Sequence, residues 1–207
     1  MGSNRLVAGA LSVLGAAILA AYYVMTANAQ TAMDPAAALD MSGPVIEISV
    51  AGEANGVIRI KLFTDKAPQH VERFMTLAGD GAYDNIVFHR VINGFMAQTG
   101  DVEFGKLGGD INMAGRGGSG YDDLPAEFSD VSFERGIIGM ARAASVNSAN
   151  SQFFIMLAPA PHLNGEYTVV GQVVEGFDVL DAIKLGTGRN GAVVGAPDVM
   201  TSMKVVQ

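Results

Sequence analysis

The stretch Phe88-His-Arg-Val-Ile-Asn-Gly-Phe-Met-Ala-Gln-Thr-Gly-Asp101 sets one arginine, Arg90, among apolar and aromatic side chains, with Gln98 close behind. A guanidinium away from water is costly unless it has partners. Two readings follow. Arg90 is either a structural ion pair, for instance with a loop carboxylate, or a charge held ready to act on something. The stretch alone does not separate them.

Other patterns that could carry chemistry fail on context. Gly186-Thr-Gly-Arg-Asn-Gly191 matches G-x-G-x-x-G, but a dinucleotide loop must join a strand to the start of a helix, and here the pattern follows a helical segment and precedes none, so a turn is expected. Gly117-Gly-Ser-Gly-Tyr121 misses the serine-hydrolase elbow because Tyr121 stands where glycine is required. His70, His89 and His162 are scattered, without H-E-x-x-H or a similar pair, and no metal site is expected. His70, on an expected helix, reads as a solvated residue. The absence of cysteine excludes disulfides and thiolate chemistry. A net charge of −8 without a basic cluster argues against a nucleic-acid partner.

The elements that must position Arg90 are mostly strands. The chain has 207 residues, 49% of them hydrophobic, with 26 glycines. That much glycine demands many turns and favours a β-rich fold. Val45–Val50 and Ile58–Leu62 alternate apolar and polar residues around the turn chemistry of Ala51–Gly56, which predicts a hairpin. Pro68 suits the first turn of a helix on which Val71, Phe74, Met75 and Ala78 recur, ended by Gly79 or Gly81. Residues 86–98 are β-prone and broken by Gly94, and 102–123 is a glycine-rich loop. Gly136–Ala141, Ser151–Leu157 and Thr168–Val174 read as strands, and Met203–Val206 as a return to the sheet. Phe177, Leu180 and Ile183 predict a second helix ended by Gly186. Many short strands with two helices imply a closed barrel with helices over its ends.

The N-terminus reads as an address. Arg5 precedes the uncharged apolar run 6–25, and Ala27-Asn-Ala29 offers an A-x-A site, so residues 1–29 are expected to be a secretory signal cleaved after Ala29. The run is also long enough to remain as an anchor, since a bilayer takes roughly 20 residues. Either way the protein is expected to be exported to the periplasm. It contacts the inner membrane only if residues 6–25 stay uncleaved. Residues 30–43 read as a linker, and 44–207 as the working domain.

Three ordered segments resemble the cyclophilin family: Phe88–Gln98, Gly139-Met-Ala-Arg-Ala143 through Asn150-Ser-Gln-Phe-Phe-Ile155, and Leu163-Asn-Gly-Glu-Tyr-Thr-Val-Val-Gly171. The similarity runs from residue 45 to about 206. It implies an eight-stranded antiparallel closed barrel capped by two helices, and peptidyl-prolyl cis-trans isomerase activity on proline-containing polypeptides, without cofactor, metal or covalent step. It places Arg90 at the catalytic arginine, and Phe95, Met96, Phe154 and Leu163 at the walls of the proline pocket. Gln98 and Gln152 fall near the substrate backbone. Ala141, Arg142 and Ala143 fall on a strand edge along which the peptide lies. Tyr167 stands where many relatives carry histidine, and His89 is expected to hold a structural position beside Arg90.

Three features depart from that pattern. His162 replaces a tryptophan that helps bind cyclosporin-type macrocycles, so weak binding of such drugs is expected. Arg142 is unusual and could favour acidic peptides. The segment 102–115 is longer than in compact members. The alternative function is a chaperone or scaffold that binds proline-containing segments without turnover. Nothing in the sequence demands more than a monomer.

Overall fold

The structure is a computed structural model that describes residues 43–206. The expected leader and nearly all of the expected linker lie outside the described residues. Strands β1 (Val45–Ala51) and β2 (Gly56–Leu62) form the predicted antiparallel hairpin, with Val45 opposite Lys61 and Val50 opposite Gly56. Ile46, Ile48, Ile58 and Ile60 are fully buried, as period-2 alternation requires of a half-buried sheet.

Helix α1 (Pro68–Gly79) starts on Pro68 and buries His70, Val71, Phe74, Leu77 and Ala78. His70 is therefore not solvated. It lies four residues before Phe74, on the same apolar stripe. Its Nδ1 is 2.6 Å from Glu127 Oε2, and Glu127 also accepts the backbone N–H groups of Gln69 and His70. One distant carboxylate thus satisfies the first-turn donors that no side chain at Ala67 can reach.

The remaining strands are β3 (Ile86–Val87), β4 (Arg90–Ile92), β5 (Met96–Thr99), β6 (Ile137–Met140), β7 (Phe153–Met156), β8 (Val169–Glu175) and β9 (Val199–Val205). Helix α2 (Phe177–Ala182) ends at Ile183, whose backbone turns extended, and not at Gly186. All strand pairs are antiparallel, in the order β3-β9-β1-β2-β8-β6-β7-β5-β4.

The expected eight-stranded closed barrel is thus a curled sheet of nine strands, and no ladder joins its two ends, β3 and β4. Only Phe88 and His89 separate those two strands in sequence. The chain itself crosses from one edge to the other. Ile86, Val87, Phe88 and His89 are all buried along this crossing. The segment before β9 covers the break. Phe88 N–H donates to Asp198 O at 2.9 Å, and Val193 N–H donates to His89 O at 3.0 Å.

Alternation along β7 divides the packing. Phe153 and Ile155 enter the main core with Ile46, Ile60, Phe74 and Tyr83. Phe154 and Met156 join a second apolar cluster with Met96, Phe133, Leu163 and Val169. The second cluster lies on the other face of β5, β6 and β7, and against it Ile92, Phe95 and Tyr167 pack.

Candidate active site

Strand register sets one row of residues across this second face. Arg90 is opposite Gln98, Gln98 is opposite Phe154, and Phe154 is opposite Gly139. Glycine is required at the end of the row, since a Cβ at 139 would overlap the rings of Phe154 and Phe133. The tight Asn93-Gly94 turn, with Gly94 at φ 66°, returns β4 onto β5 and so brings Arg90 and Gln98 together.

Arg90 is half-buried, and its guanidinium is held by neutral acceptors. Nη1 donates to Gln98 Oε1 at 3.0 Å, Nε donates to Asn190 O at 2.9 Å, and Nη2 donates to Asn190 Oδ1 at 3.3 Å. Among the described residues no carboxylate comes within ion-pair distance of it. The structural ion pair that the sequence left open is therefore absent there. Burial lowers the Arg90 pKa from its ordinary value, partly opposed by Tyr167. Arginine nevertheless stays protonated in proteins. The contacts continue outward: Gln98 Nε2 donates to Gln152 Oε1 at 3.0 Å, and Gln152 Nε2 donates to Gly117 O at 2.8 Å.

Beside the guanidinium lies an apolar wall. Met96 Sδ is 3.9 Å from Arg90 Nη1. Met96, Phe154 and Leu163 are buried, and Phe95 is half-buried. Leu163 is carried by a short 3-10 turn, Pro161–Leu163. On that turn exposed His162 stacks on Phe95, with ring centroids 5.8 Å apart. The edge of Tyr167 meets Phe154 at 5.7 Å. The structure thus gathers Arg90, Phe95, Met96, Gln98, Gln152, Phe154, His162, Leu163 and Tyr167 on one side of the sheet.

Ala141, Arg142 and Ala143 follow β6 but are not part of it, and Ala143 N–H is taken by Ser148 Oγ at 2.9 Å. The Arg142 side chain is turned inward on itself. It lies 4.5 Å above the Tyr167 ring and donates to Glu166 O, Ala143 O and Ala144 O. With those donors used and its side chain only 14% exposed, it is poorly placed to recruit acidic peptides. These residues line a neighbouring cavity of about 460 Å³ with Gln98, Gln152, Gly117, Tyr121 and Asn150, which does not include Arg90.

Residues 45–205 match the family described as cyclophilin type peptidyl-prolyl cis-trans isomerase. The chain belongs to the cyclophilin family. It is an isomerase of the peptidyl-prolyl cis-trans type. A probable peptidyl-prolyl cis-trans isomerase of Brucella suis is 53% identical over 146 residues, covering 70% of this cyclophilin and 74% of the relative. A peptidyl-prolyl cis-trans isomerase of Arabidopsis thaliana is 38% identical over 135 residues, covering 62% and 77%. Among solved structures, a Cryptosporidium parvum cyclophilin type peptidyl-prolyl cis-trans isomerase superposes with a TM-score of 0.67 at 25% identity, covering 79% of this chain and 98% of that one. A second structure of that protein, in the presence of the dipeptide Ala-Pro, gives 0.66 at 26% identity over 79% and 99%.

Sequence reasoning passed over three polar residues that shape this cyclophilin's site. Asp101 is fully buried. Its Oδ1 accepts the N–H groups of Glu103 and Phe104, and its Oδ2 those of Gly115, Arg116 and Gly117. The long 102–115 loop is therefore closed on one carboxylate, which also fixes the Gly117 carbonyl that receives Gln152. Asn150 pins the next stretch, accepting from Ser119 and donating to Tyr121 O and Asp123 Oδ1. Asn190, in the turn expected over Gly186–Gly191, supplies two acceptors to Arg90. The available signal was an acidic residue ending an apolar run just before a glycine-rich loop. His89 is buried beside Arg90, and burial lowers its pKa to about 4, with Asp101 opposing and Arg90 assisting. Its ring is neutral near pH 7.

Proposed function

We propose that this cyclophilin accelerates X-Pro isomerisation during the folding of exported proteins, with Arg90 as the catalytic residue. The observation that carries the reading is the Arg90 guanidinium, held by neutral acceptors beside the apolar wall of Met96, Phe154 and Leu163.

Amide resonance sets the barrier, about 18–20 kcal/mol for rotation about the C–N bond. At the twisted transition state the prolyl nitrogen loses conjugation and regains a lone pair. A guanidinium N–H set against that nitrogen donates to it there, and hardly at all in the planar ground state. This is differential binding of the transition state. Phe95, Met96, Phe154 and Leu163 hold the proline ring while the preceding carbonyl swings. By excluding water they also strengthen the interaction of a charge that no carboxylate of the described residues neutralises. Gln98 and Gln152 orient the guanidinium and meet the substrate backbone. With the N–H groups of Ala141 and Ala143 already bonded, residues 141–143 meet the peptide through their carbonyls, while Tyr167 and His162 complete the aromatic rim. No cofactor, metal or covalent intermediate enters the scheme, and a monomer suffices for it.

Proline-containing polypeptides are the proposed substrates, a reading supported by the relative solved in the presence of Ala-Pro. Export rests on the leader-like residues 1–29, with the periplasm as destination and residues 6–25 as an inner-membrane anchor if cleavage does not occur. Mass spectrometry of the protein from cells should find an N-terminus at Gln30. An intact leader in the cytoplasm would overturn the exported role. A protease-coupled assay on an X-Pro peptide tests the activity. An isomerase raises the cis-to-trans rate in proportion to its concentration, whereas a chaperone or scaffold that only binds would leave that rate unchanged.

A further inference from the structure

We propose that Asn190 is a positioning residue for Arg90, its main-chain and side-chain carbonyls together aiming the guanidinium at the prolyl pocket. The assignment rests on the reading of Arg90 as the catalytic group.

The donor count carries the argument. A guanidinium has five N–H donors in a rigid plane. Asn190 O takes the Nε donor, Gln98 Oε1 takes one donor on Nη1, and Asn190 Oδ1 takes one on Nη2. Nη1 turns its other N–H to the pocket wall, where Met96 Sδ accepts it weakly at 3.9 Å, and Nη2 keeps one donor. Gln98 alone would leave the group free to pivot about a single bond. Three acceptors at three different nitrogens fix its plane, and two of them belong to Asn190.

The turn that presents Asn190 is clamped to the strand that carries Arg90. Gly186 N–H donates to Val91 O at 2.9 Å, and Val193 N–H donates to His89 O at 3.0 Å. Arg90 itself bridges to Ala192. Gly191 packs so closely on Ile92 that a Cβ there would overlap it. Within this turn Asn190 sits at φ 55° and ψ 31°, in the left-handed region. Asparagine tolerates that conformation better than most side chains do. Glycine would satisfy the backbone but offer no side-chain oxygen. Alanine would meet neither need. Asparagine meets both, which accounts for its presence in a turn that glycine could otherwise complete.

The test is Asn190→Gly in the full chain, assayed beside Arg90→Ala on the same X-Pro peptide. Glycine keeps the turn and removes Oδ1. The expected result is a kcat lower by about tenfold or more, the size of a lost hydrogen bond to a charged group, with KM and thermal midpoint nearly unchanged. A wild-type kcat in Asn190→Gly, alongside a damaged Arg90→Ala, would overturn the positioning assignment alone. Full activity in Arg90→Ala would overturn the underlying reading and the assignment with it. Parallel loss of kcat, KM and thermal midpoint in Asn190→Gly would reduce Asn190 to a structural role and also overturn the assignment. An independent check uses the wild-type protein. The Arg90 Nε–H signal in nitrogen-edited NMR should exchange slowly with solvent and report one ordered guanidinium, and rapid exchange would contradict the clamp.

Discussion

Gln98 accepts a hydrogen bond from Arg90 Nη1 at 3.0 Å, and it does so as a neutral amide where a carboxylate would have formed an ion pair. Orientation without neutralisation is what a catalytic cation needs. An ion pair would hold the guanidinium as well, but it would spend much of the field meant for the transition state.

That distinction can be tested at one position. Gln98→Ala removes the acceptor, while Gln98→Glu restores an acceptor and adds a charge. If the free charge of Arg90 does the work, Gln98→Glu should be at least as impaired as Gln98→Ala, each by about tenfold in kcat/KM. A glutamate variant clearly better than the alanine variant would mean that orientation alone matters.

Asp101 should matter for the loop more than for the core. Asp101→Ala strands backbone N–H groups from Glu103, Phe104, Gly115, Arg116 and Gly117. A hydrogen bond to a charged group contributes about 1.5–3 kcal/mol, and partial rehydration of an opened loop recovers some of it, so a loss of about 3 kcal/mol is expected. Urea unfolding measures that loss, and limited proteolysis should cut within 102–117 in the variant before any other described segment. An unchanged digestion pattern would contradict the anchoring role.

Acid should destabilise the fold from about pH 6.5 downward. His89 titrates at about 4 when folded, against an ordinary value of 6.5. As pH falls through 6.5 the unfolded chain takes up a proton that the folded chain refuses until about pH 4. Stability therefore falls across that window, by about 3 kcal/mol at most for this group. His70, also lowered by burial, acts in the same direction despite its bond to Glu127. Urea midpoints at pH 7.5 and pH 5 measure the effect, and His89→Gln should flatten the dependence. Equal stability at the two pH values would contradict the buried neutral state.

The pocket rim offers a gain-of-binding test. His162 stacks on Phe95 with a smaller ring than the tryptophan that the family resemblance implies at this position. Titration with a cyclosporin-type macrocycle should show weak binding to the native chain, and His162→Trp should tighten it by about tenfold or more, the scale of an added buried aromatic surface. Nanomolar affinity in the unaltered protein would contradict this reading.

The fold was legible where local pattern decides structure. Alternation at Val45–Val50 and Ile58–Leu62 gave the hairpin, and Pro68 with Val71, Phe74 and Ala78 gave helix α1. Pattern failed where distant groups decide. His70 looks soluble by residue type, and only its stripe position and Glu127, far along the chain, make it a core residue. Closure at Phe88–His89 depends on carbonyl and amide groups of residues 193–198, which no local window contains. In the site, Arg90 stood out as a charge in an apolar run, but its meeting with Gln98 and Phe154 is a matter of register, suggested only through family resemblance. Asp101 and Asn190 act through backbone geometry in glycine-rich loops, where residue type says little about what a side chain will face.

The most direct test of the account is the isomerisation rate of Arg90→Ala on an X-Pro peptide, measured with the thermal midpoint of the same preparation. The expected result is a kcat/KM lower by well over tenfold, about 1.4 kcal/mol of transition-state stabilisation for each factor of ten, with the midpoint within a few degrees of the native protein. A folded Arg90→Ala variant with full isomerase activity would contradict it and remove Arg90 from the mechanism.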